Sequence, residues 1–99
     1  MKIYISGAIT GTDDYMERFE KAEKELTEQG YSVVNPAKVN AQLPEDTSYK
    51  EYMNMCFCML NMCDAVYMLD GWEKSCGANR EYGYAIGNDM MIFKDGLFE

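Results

Sequence analysis

Histidine is missing from the 99-residue chain. Without an imidazole, a Ser-His or Cys-His nucleophile pair and a His-ligated metal are excluded, so acid-base work falls to carboxylates or tyrosine. Basic residues are scarce: nine Lys plus Arg stand against seventeen Asp plus Glu, for a net charge of -8. That charge repels a polyphosphate backbone, and no nucleic-acid polymer is expected as partner. A small anion remains compatible, because backbone N–H groups at a helix start hold it without net positive charge. The four cysteines, Cys56, Cys58, Cys63 and Cys76, form no C-x-x-C pair, so neither zinc nor a redox dithiol is indicated and no metal or cofactor is expected. Cys56 and Cys63 share a helix face and read as small core residues, whereas Cys76 falls in a glycine-bearing loop.

Long apolar runs are also lacking. The stretch Ala65 to Leu69 is far too short to cross a bilayer, and the Met1-Lys2 start leads into a strand-like run with no small-residue cleavage site. A soluble, cytoplasmic protein without membrane contact is the expectation. The length suits a single domain over residues 1–99. A chain this short buries only roughly two-thirds of its extended surface, which favours a homo-oligomer.

What is present alternates between strand and helix patterns. Lys2 to Ser6 reads as a first strand stopping at Gly7. Asp13 and Asp14 open a helix whose apolar positions are Tyr15, Phe19, Ala22 and Leu26, and which ends at Gly30. Tyr31 to Val34 is a second strand, broken by Asn35-Pro36, with a loop to about Thr47. Ser48 and Glu51 form an S-x-x-E capping box opening a helix to about Met62, its apolar side made by Tyr52, Met55, Cys56, Met59 and Met62. Ala65 to Leu69 suits a strand covered on both faces. A helix from about Gly77 to Ile86 and a strand from Met90 to Phe93 complete the pattern. This alternation predicts an α/β fold: a small parallel sheet of about four strands between helical layers, with right-handed crossovers. Ligands of such folds bind at the carboxyl ends of the strands, which selects the loops Gly7 to Thr12 and Asp70 to Cys76.

Two segments, KIYISGAITG and CDAVYMLDGWEKSCGANREYGYAIG, resemble the nucleoside 2-deoxyribosyltransferase superfamily, and most closely its short phage and bacterial branch. The resemblance implies a Rossmann-like or flavodoxin-like fold that splits an N-glycosidic bond through a glutamate nucleophile, usually in an oligomer whose site borrows from a neighbouring chain. It sets Glu81 at the nucleophile, and Ser75-x-Gly77-x-x-x-Glu81 is similar to the spacing in the deoxynucleoside monophosphate N-glycosidase relatives. True transferases typically carry Asp where Ser75 stands, so the serine leans toward a phosphorylated substrate or a hydrolytic outcome. Gly7 and the loop Ala8, Ile9 and Gly11 match the ligand loop, with Ala8 where the short branch usually has Pro. Tyr4 lies near the position of a tyrosine close to the nucleophile.

The chemistry of these residues is consistent with that role. A carboxylate beneath an anomeric carbon stabilises an oxocarbenium-like state or traps the sugar covalently. Glu81, four residues after Gly77, points back toward the first turn of its helix. Gly77 admits a ligand closely, and Ser75 with the free N–H groups through Ala78 can hold a phosphate or sugar hydroxyl. Each has a plainer reading: Glu81 as a solvated helix carboxylate, Ser75 as an N-cap, Asp70-Gly71 as a turn rather than a general acid, and Trp72 as an oligomer contact rather than a wall stacking on a base. The expected function is cleavage or transfer at a nucleoside or nucleotide glycosidic bond. The alternative is a protein that binds or sequesters a nucleotide-derived ligand of ADP-ribose type without turnover.

Overall fold

The computed structural model describes residues 1–9 and 12–95; Gly11 of the expected ligand loop lies outside the described residues. Four strands, β1 (Lys2–Ser6), β2 (Ser32–Val34), β3 (Ala65–Met68) and β4 (Met91–Lys94), form one sheet in the order β2-β1-β3-β4. All three pairings are parallel, with Tyr4 beside both Val34 and Val66. The expected α/β sheet is therefore present, and its strand order is that of a flavodoxin-like doubly wound fold.

The helices are α1 (Tyr15–Glu28), α2 (Pro36–Asn40), α3 (Tyr49–Asn61) and α4 (Cys76–Gly87), with a 3-10 turn at Trp72–Lys74. Helix α1 buries Phe19, Ala22 and Leu26 and ends as Gly30 turns to φ +95°, a conformation open to glycine at little steric expense. Helix α3 begins with both hydrogen bonds of the expected capping box, Glu51 N–H to Ser48 Oγ at 3.1 Å and Ser48 N–H to Glu51 Oε1 at 2.9 Å.

Two expectations are corrected. The loop expected from Asn35 to about Thr47 contains α2, because Asn35 Oδ1 accepts from the N–H groups of Ala37 and Lys38 and Pro36 occupies the first turn. The residues that break the strand thus start a helix, where proline's missing donor is no loss. The buried stripe of α3 is Met53, Cys56, Met59 and Leu60, whereas Met55 and Met62 face outward. The bounds of β2 and β3 differ from expectation by one residue at one end, and those of α4 and β4 by one residue at each end.

Strand alternation divides the interior. Ile3, Ile5, Ala65, Tyr67 and Leu69 pack toward α1 and Ala37 of α2. Tyr4, Val66 and Met68 pack on the opposite face, against Cys56, Met59 and Leu60 of α3 and Ala78 and Ala85 of α4. The chain changes sides between β1 and β3, so a crevice opens at their carboxyl ends.

Candidate active site

Helix α4 turns Ala78, Glu81 and Ala85 toward the sheet. The small alanines let the helix lie close, and the longer glutamate between them reaches β1. Glu81 is only 5% exposed, yet its carboxylate is not isolated. The Tyr4 hydroxyl donates to Oε2, and the Ser6 hydroxyl donates to Oε1 at 2.7 Å. The Cys56 thiol lies beside both.

Burial raises the Glu81 carboxyl above its ordinary range, while hydrogen bonds from Tyr4, Ser6 and Cys56 pull the other way by favouring the anion. Burial, reinforced by the neighbouring carboxylate, pushes the Tyr4 phenol well above its usual value, and burial also raises the Cys56 thiol. Tyrosine and cysteine therefore remain neutral donors around one buried acid.

Tyr4 and Glu81 line a cleft of about 880 Å³. Its walls come from the β1 loop at Gly7 and Ile9, from α1 at Tyr15 and Phe19, from α2 and its continuation, from α3, and from Lys74 to Ala78 with Arg80 and Glu81. The aromatic and thioether side chains Tyr49, Tyr52 and Met53 form the α3 wall. Arg80 lies over the Tyr49 ring, 5.5 Å from its centroid. Asn40 also lines the cleft. Its Nδ2 reaches Cys56 Sγ at 3.5 Å, but its buried Oδ1 has no hydrogen-bond partner, leaving an acceptor for a ligand donor.

The two glycines singled out from the sequence do different work. A Cβ on Gly7 would stand 2.9 Å from both Cβ and Cδ1 of Leu69, so glycine here lets β1 and β3 end against each other. A Cβ on Gly77 would meet Met53 Sδ and Tyr49 Oη at 3.4 Å, across the cleft. Ser75 caps α4 through the Ala78 N–H at 3.1 Å and also lines the cleft, so its two readings coexist.

Of the residues singled out from the sequence, Tyr4, Gly7, Ile9, Ser75, Gly77, Ala78 and Glu81 are brought together at the cleft. Ala8 stands behind them, its carbonyl accepting from Arg18 at 3.0 Å. Asp70, Gly71 and Trp72 are not brought to it. Asp70 is exposed, Gly71 takes φ +84° in the turn, and Trp72 stacks on Tyr82 with ring centroids 4.7 Å apart. Ser6, Asn40 and Cys56 were not anticipated as site residues. Period-two alternation on β1 was the available signal for Ser6, since it shares a face with Tyr4.

The family described as Domain of unknown function (DUF4406) matches residues 1–94. Among curated proteins, none matches significantly. A solved 2-deoxyribosyltransferase from the psychrotolerant bacterium Bacillus psychrosaccharolyticus has a similar fold, with a TM-score of 0.72 at 18% identity, over 95% of this chain and 71% of that one.

Proposed function

We propose a function for this chain, which belongs to the DUF4406 family, from the site it carries: it cleaves the N-glycosidic bond of a nucleoside or nucleotide, with Glu81 as nucleophile. The observation that carries this reading is a buried carboxylate at the base of a cleft, with a hydrogen-bond donor on each oxygen. The 2-deoxyribosyltransferase of similar fold supports a deoxyribosyl group as the sugar. Ser75, Gly77 and Glu81 at the spacing of the monophosphate-cleaving relatives support the finer reading of a short-branch N-glycosidase.

One carboxylate oxygen attacks the anomeric carbon as the carbon–nitrogen bond breaks, and the bonding pair leaves with the base, which takes a proton from water. Water, or a second base in a transferase, then attacks the anomeric carbon and releases Glu81. Tyr4 stays protonated throughout and stabilises the anion before attack. The Asn40 acceptor suits an N–H or O–H of the ligand. Lys74 and Arg80 line the cleft beside the start of α4, where the first N–H groups of the helix, ahead of the Ala78 N–H that Ser75 caps, suit a phosphate. Asp70 has no part in this scheme.

A homo-oligomer belongs to the same reading. Met55 on α3 and Met62 just after it, with Ile86 and Met91, are exposed apolar side chains suited to a second copy.

Incubation with nucleosides, nucleoside monophosphates and ADP-ribose, followed by chromatography and thermal shift, tests the proposal. Free base is expected with wild type and not with Glu81→Gln. A thermal shift without base release would overturn catalysis in favour of a binding protein.

A further inference from the structure

Ser6 stands apart from the rest of the site. It is 1% exposed and does not line the cleft, whereas Tyr4 and Glu81 both do. It nonetheless donates to Glu81 across 75 residues of sequence. Tyr4 and Ser6 sit two positions apart on one face of β1, so their Cα atoms are about 6.6 Å apart along the strand. The two oxygens of a carboxylate are much closer together than that. A long phenol at one position and a short hydroxymethyl at the other reconcile the spacings, and both donors converge on one acid.

We infer that Ser6 is a positioning residue that holds Oε1 of Glu81 from the buried side, leaving the carboxylate aimed at the cleft through Oε2. The inference rests on the reading of Glu81 as nucleophile and extends it to a residue that touches no ligand. Geometry makes the division of labour: Oε1 is held by a side chain outside the cleft, and Oε2 by one that lines it. Tyr4 and Ser6 each occupy one lone pair of their own oxygen, and a carboxylate oxygen has two. The oxygen beside Tyr4 is therefore able to attack while Ser6 keeps its hold on the other, which becomes the ester carbonyl. The Ser6 hydrogen bond also favours the ionised carboxylate, the form required for attack. The titratable groups facing Glu81 are Tyr4 on β1 and Cys56 on α3, both held neutral by burial. Lys74, Arg80 and Glu45 contribute charge from the cleft lining.

The test compares Ser6→Ala, Ser6→Thr and Ser6→Cys with wild type. Carbon-13 NMR titration of the Glu81 carboxyl, assigned by its absence in Glu81→Gln, is made on the ligand-free protein. Ser6→Ala should move the midpoint up by about one pH unit, Ser6→Thr should restore it, and Ser6→Cys, a weaker donor, should fall between. With a cleaved substrate, Ser6→Ala should lower kcat by about ten- to a hundredfold, leave KM within about twofold, and shift the acid limb of the rate profile in step with the titration. A lower Tm with unchanged titration and unchanged kcat would overturn the inference and leave Ser6 a packing residue. Should wild type release no base from any substrate, the glycosidase reading fails, but the titration still decides whether Ser6 controls Glu81. If Ser6→Ala does not fold, the nearly isosteric Ser6→Cys carries the same comparison.

Discussion

The two faces of the sheet are built from the same strands but obey different rules. Toward α1, β1 presents Ile3 and Ile5, which meet Phe19, Ala22 and Leu26 in an apolar layer. Toward α3 and α4, the same strand presents Tyr4 and Ser6, which meet Glu81 and Cys56. One face gains stability by removing aliphatic surface from water. The other spends part of that gain on a buried carboxylate, tolerable because donors meet both its oxygens. The contrast teaches that reactive chemistry can be confined to alternate residues of a single strand, with its neighbours left to hold the fold.

The sharpest way to test this division is to exchange charge for neutrality at Glu81. Glu81→Gln should reduce base release by more than about a thousandfold while circular dichroism stays unchanged. A residual rate above about a tenth of wild type would break the assignment of chemistry to this face. The opposite face is tested by Leu26→Ala, which removes a buried side chain remote from the cleft. It should destabilise by about 2–5 kcal/mol, lowering Tm by roughly 10–20 °C without moving the pH dependence of catalysis. A shifted acid limb would show that the two faces are not separable.

The glycines sharpen the same comparison at smaller scale. Gly7→Ala forces a Cβ against Leu69 at 2.9 Å and should cost about 1–3 kcal/mol, measured by urea unfolding. Gly77→Ala meets only contacts at 3.4 Å and lies within α4, where alanine is favoured by up to about 1 kcal/mol. It should leave stability equal or higher and raise KM by narrowing the cleft.

The smallest effect is on stability against pH. Because burial raises the folded carboxyl of Glu81, the unfolded chain loses this proton first as pH rises. The contribution of the protonated group is complete below the unfolded value and is lost as pH climbs through the folded one. Glu81→Gln remains neutral, so its Tm relative to wild type should increase as pH rises above the ordinary glutamate value of about 4.3. A difference that shrinks over that range would contradict a raised carboxyl.

Legibility in the sequence followed the range of the interactions. The capping box at Ser48 and Glu51, the α1 stripe and the apolar run of β3 are written in neighbouring residues, and each element formed. The second use of Asn35-Pro36 was hidden because a strand break and a helix start share the same local chemistry. Glu81, Ser75 and Gly77 were visible through the family resemblance that their motif carries, since a helix glutamate by itself reads as a solvated carboxylate. The α3 stripe was misjudged because Met and Tyr are apolar enough for either a core or a cleft wall, and only docking against β1 and α4 chooses between them. Asn40 and Cys56 carry no motif at all; packing alone turns Cys56 toward Tyr4 and Glu81 and Asn40 toward Cys56.

The separation of 75 residues between Ser6 and Glu81 also sets an order in time. At about 5–20 residues per second, synthesis takes roughly 4 to 15 seconds to reach the acid after the serine has been made. During that interval β1 can pair with β2, but its other edge, later covered by β3, stays open together with the donors that await α4. The strand that organises the finished site is thus the one whose backbone is exposed to wrong partners during synthesis.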